Sequence, residues 1–107
     1  MSLSQKYKAV FANWDKEVFR DIHHEDFMFI RETELLTLDD HVENLDKLAL
    51  TTNFLKNTQN GQLIHENEYV FENRWKEKNE MVTVVILIKK GKAWRQIVNR
   101  VPIDEAA

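Results

Sequence analysis

Apolar residues recur at three- and four-residue steps through the first twenty positions: Leu3, Tyr7, Val10, Phe11, Trp14 and Val18. Lys6, Lys8, Asp15 and Lys16 fall elsewhere around the wheel. That spacing predicts an amphipathic helix over residues 3 to 20 with a wide aromatic stripe. A stripe of this kind is far more often core than a cofactor-binding surface. Trp14, near the helix end, is the member placed to double as a pocket wall.

After the link Asp21-Ile22-His23-His24-Glu25, the run Asp26-Phe27-Met28-Phe29-Ile30-Arg31 has the aromatic and β-branched character of a strand, and a short partner strand is expected at Glu34 to Thr37. Thr37 can cap a second helix through the amide of Asp40, with Asp39 and Asp40 complementing the positive helix end. Val42, Leu45, Leu48 and Ala49 give that helix one apolar side. From Gly61 onward the pattern turns to strands: a short one at Gln62 to His65, then three longer ones at about residues 69 to 78, 81 to 90 and 93 to 102. Helix, strands, helix, four strands is the order of an α+β fold, with helices gathered on one side of an antiparallel sheet.

Two tight turns, Lys78-Asn79-Glu80-Met81 and Lys89-Lys90-Gly91-Lys92, set the expected register, with Lys78 opposite Met81 and Lys89 opposite Lys92. Counting outward, one face collects Phe71, Asn73, Trp75, Val82, Val84, Ile86, Ile88, Ala93, Arg95, Ile97, Asn99 and Val101. This is the expected core face, and Asn73, Arg95 and Asn99 are its polar exceptions. The other face carries Val85, Leu87, Trp94, Gln96 and Val98 among charged residues, a mixture that fits a protein interface and predicts a homodimer through this face.

A chain of 107 residues suits one domain, residues 1–107, and with two glycines and one proline it holds no flexible linker. The net charge of −3, with bases and acids interleaved, argues against a nucleic-acid partner. The absence of cysteine excludes disulfides and thiolate metal sites and suits a reducing compartment. The amino terminus lacks the apolar core of a signal peptide, and the longest apolar run, Val84 to Ile88, cannot span a bilayer, so a cytoplasmic location away from membranes is expected.

The element order, the segment Asp26-Phe27-Met28-Phe29-Ile30 and the ending Lys90-Gly91-Lys92-Ala93-Trp94-Arg95-Gln96-Ile97-Val98-Asn99-Arg100 resemble the nuclear transport factor 2-like superfamily, especially its small SnoaL-like members with the cystatin-like α+β cone. The resemblance covers nearly the whole chain. It implies a curved antiparallel sheet wrapped around the N-terminal helix, an internal hydrophobic cavity and dimerisation through the sheet's outer face. Members of the superfamily include isomerases, dehydratases and cyclases, so the fold alone does not choose an activity.

Within that frame Arg95, set among Ile86, Ile97 and Val84, needs an anion, and a ligand carboxylate, phosphate or enolate is expected there, helped by Asn73, Asn99 and Trp75. The competing expectation is an internal ion pair with Asp26 or Asp15. Asp26 or His23 is the candidate general base. His23, His24, Glu25 and Asp26 do not converge well enough for a metal site, and no cofactor is called for. His41 is expected to be exposed in the first turn of the second helix. The run Glu72, Arg74, Lys76, Glu77 and Lys78 reads as a solvated strand face. These residues support a domain that binds a small apolar or anionic molecule. The alternatives are a cofactor-free isomerase, cyclase or dehydratase working by proton transfer, and an interaction module with a filled cone.

Overall fold

The computed structural model describes residues 1–103; the expected domain extent to Ala107 takes in positions 104–107, which lie outside the described residues, as does the side chain of Asn57. The elements run α1 (Leu3–Ala12), α2 (Lys16–Asp21), β1 (His23–Arg31), β2 (Glu34–Thr37), α3 (Leu38–Thr51), α4 (Phe54–Thr58), β3 (Gln62–Glu66), β4 (Val70–Glu77), β5 (Glu80–Lys89) and β6 (Lys92–Pro102). The six strands form one curved, open sheet in the order β2-β1-β6-β5-β4-β3. Neighbours are antiparallel except β1 and β6, which are parallel. The architecture is α+β, a cone of sheet wrapped around the N-terminal helix.

The expected helix over residues 3 to 20 is two helices. A capping box between Ser2 and Gln5 starts α1, and Asn13 ends it. Asp15 then starts α2, its Oδ1 accepting from the amides of Glu17 at 3.0 Å and Val18 at 3.4 Å. A short acid that satisfies free amides favours a new helix start over continuation, which the apolar periodicity alone did not register. Thr37 caps α3 as expected, accepting from the Asp40 amide at 3.4 Å.

Leu3, Tyr7 and Val10 of α1, Phe19 of α2, and Val42 and Leu45 of α3 pack onto Phe27, Phe29, Phe71, Trp75, Val82, Val84, Ile86 and Ala93 of the sheet to form the core. Glu66 of β3 ties α1 to the sheet edge, accepting from Ser4 Oγ at 2.6 Å and from the Ser4 amide at 3.1 Å.

Register decides which side chains reach this core. In the β4–β5 hairpin Glu77 pairs with Glu80 and Trp75 with Val82, two places from the expected pairing. A shift of two preserves the side-chain alternation, so Phe71, Asn73, Trp75, Val82, Val84 and Ile86 do share the inner face. The β5–β6 hairpin begins as expected, with Lys89 opposite Lys92 and Ile88 opposite Ala93, but then Leu87 pairs with Arg95. Trp94 is an extra residue, a β-bulge, and every position after it changes sides. Gln96, Val98 and Arg100 therefore lie on the inner face opposite Ile86, Val84 and Val82, while Arg95, Ile97, Asn99 and Val101 lie on the outer face. β1 is irregular at the same level, between His23 and Met28, so the sheet bends there across two adjacent strands.

Candidate functional site

The concave side of the sheet and the helices above it enclose a cavity of about 510 Å³ that opens to solvent. Its wall is largely aromatic and aliphatic: Tyr7 and Phe11 from α1, Phe19 from α2, Phe29, Phe71, Trp75, Val82, Val84, Ile86 and Val98 from the sheet, Leu45 and Leu48 from α3, and Phe54 from α4. Polar groups also enter, among them Lys8, His41, Asn44, Gln59, Asn73, Gln96, Glu77, Arg31 and Arg100. Both arginines are paired. Arg31 meets Glu34 at 2.8 Å, and Arg100 lies 3.7 Å from Glu77 and from Glu80.

Of the residues singled out from sequence, Asn73 and Trp75 line this cavity, and Trp75 Nε1 donates to Glu77 at 3.1 Å. Trp14 stands behind the wall, its ring against Phe11 and Phe19 and its Nε1 donating to Asp46 at 2.9 Å.

Arg95 and Asn99 are on the opposite side of the sheet. The bulge at Trp94 reverses the alternation assumed for them, so the expected anion site among Arg95, Asn73 and Asn99 is not assembled. Arg95 instead donates from Nη1 to the carbonyls of Asp26 at 2.7 Å and Trp94 at 2.9 Å, with its guanidinium 4.1 Å from the Trp94 ring centre. Lys89 covers the same ring at 5.2 Å. Two carbonyl acceptors and an aromatic face satisfy the charge without any anion. The same reversal moves Gln96 and Val98, expected on the outer face, into the core, where both are buried. Val85, Leu87 and Trp94 remain outside.

The two proposed bases diverge as well. The Asp26 carboxylate is exposed in a shallow outer groove beside Met28, Trp94 and Arg95. His23 is buried: its Nδ1 donates to the carbonyl of Phe19 at 2.6 Å, which leaves Nε2 to accept from the Tyr7 hydroxyl at 2.5 Å. Burial depresses the imidazole to about 4, opposed by the Phe19 carbonyl, which favours the charged form. Burial also pushes the Tyr7 phenol well above its ordinary range. Both groups are neutral at neutral pH, with the Tyr7 ring in the cavity wall and His23 behind it.

Two functional candidates were missed from sequence. His41, expected on the surface, is buried, with its ring stacked 4.5 Å from Phe29 and 5.3 Å from Phe27. Burial and the neighbouring His23 lower it to about 3. The signal was present: His41, Leu45 and Leu48 stand at helical spacing on one stripe. Glu77, read as part of a solvated strand face, shares the parity of Phe71 and Trp75 and so lines the cavity. Among the described residues no group of three or more His, Asp or Glu converges as metal ligands, and no helix is long and apolar enough to cross a membrane.

No family model matches the sequence, and no curated protein is similar to it. Similar solved structures include an NTF2-like protein of unknown function from Cytophaga hutchinsonii, 10% identical, aligned over 94% of this chain and 88% of that one with a TM-score of 0.66. A Silicibacter pomeroyi protein with a cystatin-like fold is 15% identical over 94% and 74% of the two chains, with a TM-score of 0.65. A candidate ketosteroid isomerase from Kribbella flavida is 13% identical over 96% and 78%, with a TM-score of 0.62. At such identities the likeness is one of backbone. The chain has the nuclear transport factor 2-like fold.

Proposed function

We propose that the protein binds a small, largely apolar molecule inside the cone. The observation that carries this reading is the cavity itself: about 510 Å³ walled largely by aromatic and aliphatic side chains, with both of its arginines already paired. Concave, mostly apolar spaces of several hundred Å³ with a few placed polar groups are the usual form of ligand sites. With Arg95 outside, the expected anionic anchor gives way to a neutral ligand. The reading includes a second copy on the outer face, where Leu35, Ile30, Ile97 and Val85 form an apolar row across four strands, and a cytoplasmic setting for this cysteine-free chain. The test is fluorescence of a Trp14→Phe, Trp94→Phe variant that leaves Trp75 as its single tryptophan, titrated with naphthalene. Saturable quenching supports the reading, and the absence of any response up to the probe's solubility limit overturns it.

One observation favours a second reading, proton-transfer catalysis without a cofactor. Tyr7 forms part of the cavity wall and hydrogen-bonds to a neutral histidine behind it, a chain along which a proton can shift between a bound molecule and His23. The Kribbella flavida neighbour makes a ketosteroid the first substrate to try. Turnover by the wild type that disappears in Tyr7→Phe with binding intact supports this reading, whereas binding without turnover in the wild type removes it for that substrate class.

A further inference from the structure

Asn73 projects from the inner face of β4 between Phe71 and Trp75, and its cross-strand partners are Leu63 of β3 and Val84 of β5. Several other polar side chains of the cavity bond within the protein: Ser4 to Glu66, Thr58 to the Leu55 carbonyl, and Trp75 to Glu77. The Asn73 amide, half-buried in the same wall, has no hydrogen-bond partner among the described residues. A carboxamide set among apolar neighbours loses hydration, and that cost stands until something pairs with it.

The amide is also held in place. A methyl group built onto Gly61 would stand 2.7 Å from Asn73 Nδ2 and 3.1 Å from Oδ1. Both amide atoms therefore lie against the bare Cα of Gly61, in room that any larger residue would claim. The Gly61 amide donates to the Thr58 carbonyl at 3.0 Å, which fixes the glycine itself. Gly91 is the glycine with positive φ, so the backbone does not demand glycine at position 61. What demands it is the close approach of Asn73. Gly61 lines the cavity beside the amide it accommodates.

Resting on the proposed binding function, we infer that Asn73 is the polar anchor of the cavity and recognises a neutral cis-amide edge, of the kind a lactam carries, on an otherwise apolar ring system. The N–H and C=O of a carboxamide point in nearly parallel directions about 2.3 Å apart, so the matching group offers an acceptor and a donor on adjacent positions. A lactam does so: its N–H donates to Oδ1 and its carbonyl accepts from Nδ2. Rotating the Asn73 amide by half a turn exchanges the two atoms, and the lactam edge then fits in the opposite sense. A lone ketone or ether leaves Oδ1 without a donor. A purine base has the required pair of atoms, but its remaining polar edges would face Phe71, Trp75 and Val84, which offer them nothing. The flanking Phe71 and Trp75 suit a flat aromatic frame.

The experiment titrates the protein with 2-quinolinone, coumarin and naphthalene, following side-chain amide signals by NMR. Coumarin has the shape of 2-quinolinone with a ring oxygen in place of the N–H. The expected result is binding of all three, with 2-quinolinone about tenfold tighter than coumarin, and a shift of the Asn73 amide signals with 2-quinolinone that naphthalene does not produce. In Asn73→Leu, which keeps a side chain of similar bulk, the preference falls below about twofold while naphthalene affinity is retained. Gly61→Ala keeps Asn73 but displaces its amide, and should erase the preference equally. Equal affinity for 2-quinolinone and coumarin in the wild type overturns the lactam assignment and leaves the apolar cavity standing; so does a preference that survives either substitution. Failure of all three probes to bind the folded wild type overturns the binding function itself, and this assignment with it.

Discussion

Lowering the pH from 7 to 5 should destabilise the fold through His23 and His41. Both imidazoles are buried, and their folded values, about 4 and about 3, lie below the ordinary value of 6.5. In the unfolded chain each ring takes up a proton as the pH falls through 6.5, while in the folded protein each stays neutral. Stability is therefore fully present above 6.5 and is lost as the pH falls from there towards 4. One pH unit corresponds to about 1.4 kcal/mol per differentially bound proton, so each histidine costs about 2 kcal/mol by pH 5. The pair costs about 4 kcal/mol, a large part of the 5–15 kcal/mol typical of a domain. Urea unfolding followed by tryptophan fluorescence at pH 7, 6 and 5 measures this directly. His41→Phe, which extends the stack on Phe27 and Phe29 and removes a buried imidazole, should lose about half of the pH dependence. A urea midpoint unchanged between pH 7 and pH 5, or an unaltered slope in His41→Phe, would refute the assignment of buried neutral rings.

Further outcomes follow from packing and backbone. Trp75→Ala removes a buried ring from the cavity wall and deprives Glu77 of a donor, and should lower unfolding stability by about 3 to 5 kcal/mol. Ile97→Arg places a charge in the apolar row of the outer face; if that face joins two copies, sedimentation should show a dimer in the wild type and a monomer in the variant, with unchanged circular dichroism. Gly91→Val should cost about 1 kcal/mol or more in urea unfolding, because Gly91 has φ of +77°, a conformation that disfavours β-branched side chains.

Much of the architecture was legible in the chain because it rests on local signals. Thr37 announces α3, and the alternation of Val82, Val84 and Ile86 identifies the buried side of β5 without knowledge of its partners. The register of β4 was off by two, yet its facial sorting survived, since alternation depends only on parity. The site was less legible. Arg95 and Asn99 were assigned to the cavity by counting straight through β6, and the count was broken at Trp94 by a bulge that no residue type in Ala93-Trp94-Arg95 announces. Gln96, the residue the bulge turns inward, was consequently placed outside. His41 was misread for a different reason. Its acidic neighbours Asp39, Asp40 and Glu43 point to solvent around the helix, and the wheel position it shares with Leu45 was outweighed by their charge.

The extra residue in β6 also makes the final strand sensitive to length in a way that substitution tables do not capture. Removing Trp94 alone would leave an unbroken strand in which Ala93, Gln96 and Val98 stay inside and Arg95 and Asn99 outside, whereas removing one further residue before Gln96 would transpose the downstream strand and turn Ile97 and Asn99 inward. The identity of what the cone encloses is thus written partly as arithmetic, in how many residues separate Ala93 from Gln96.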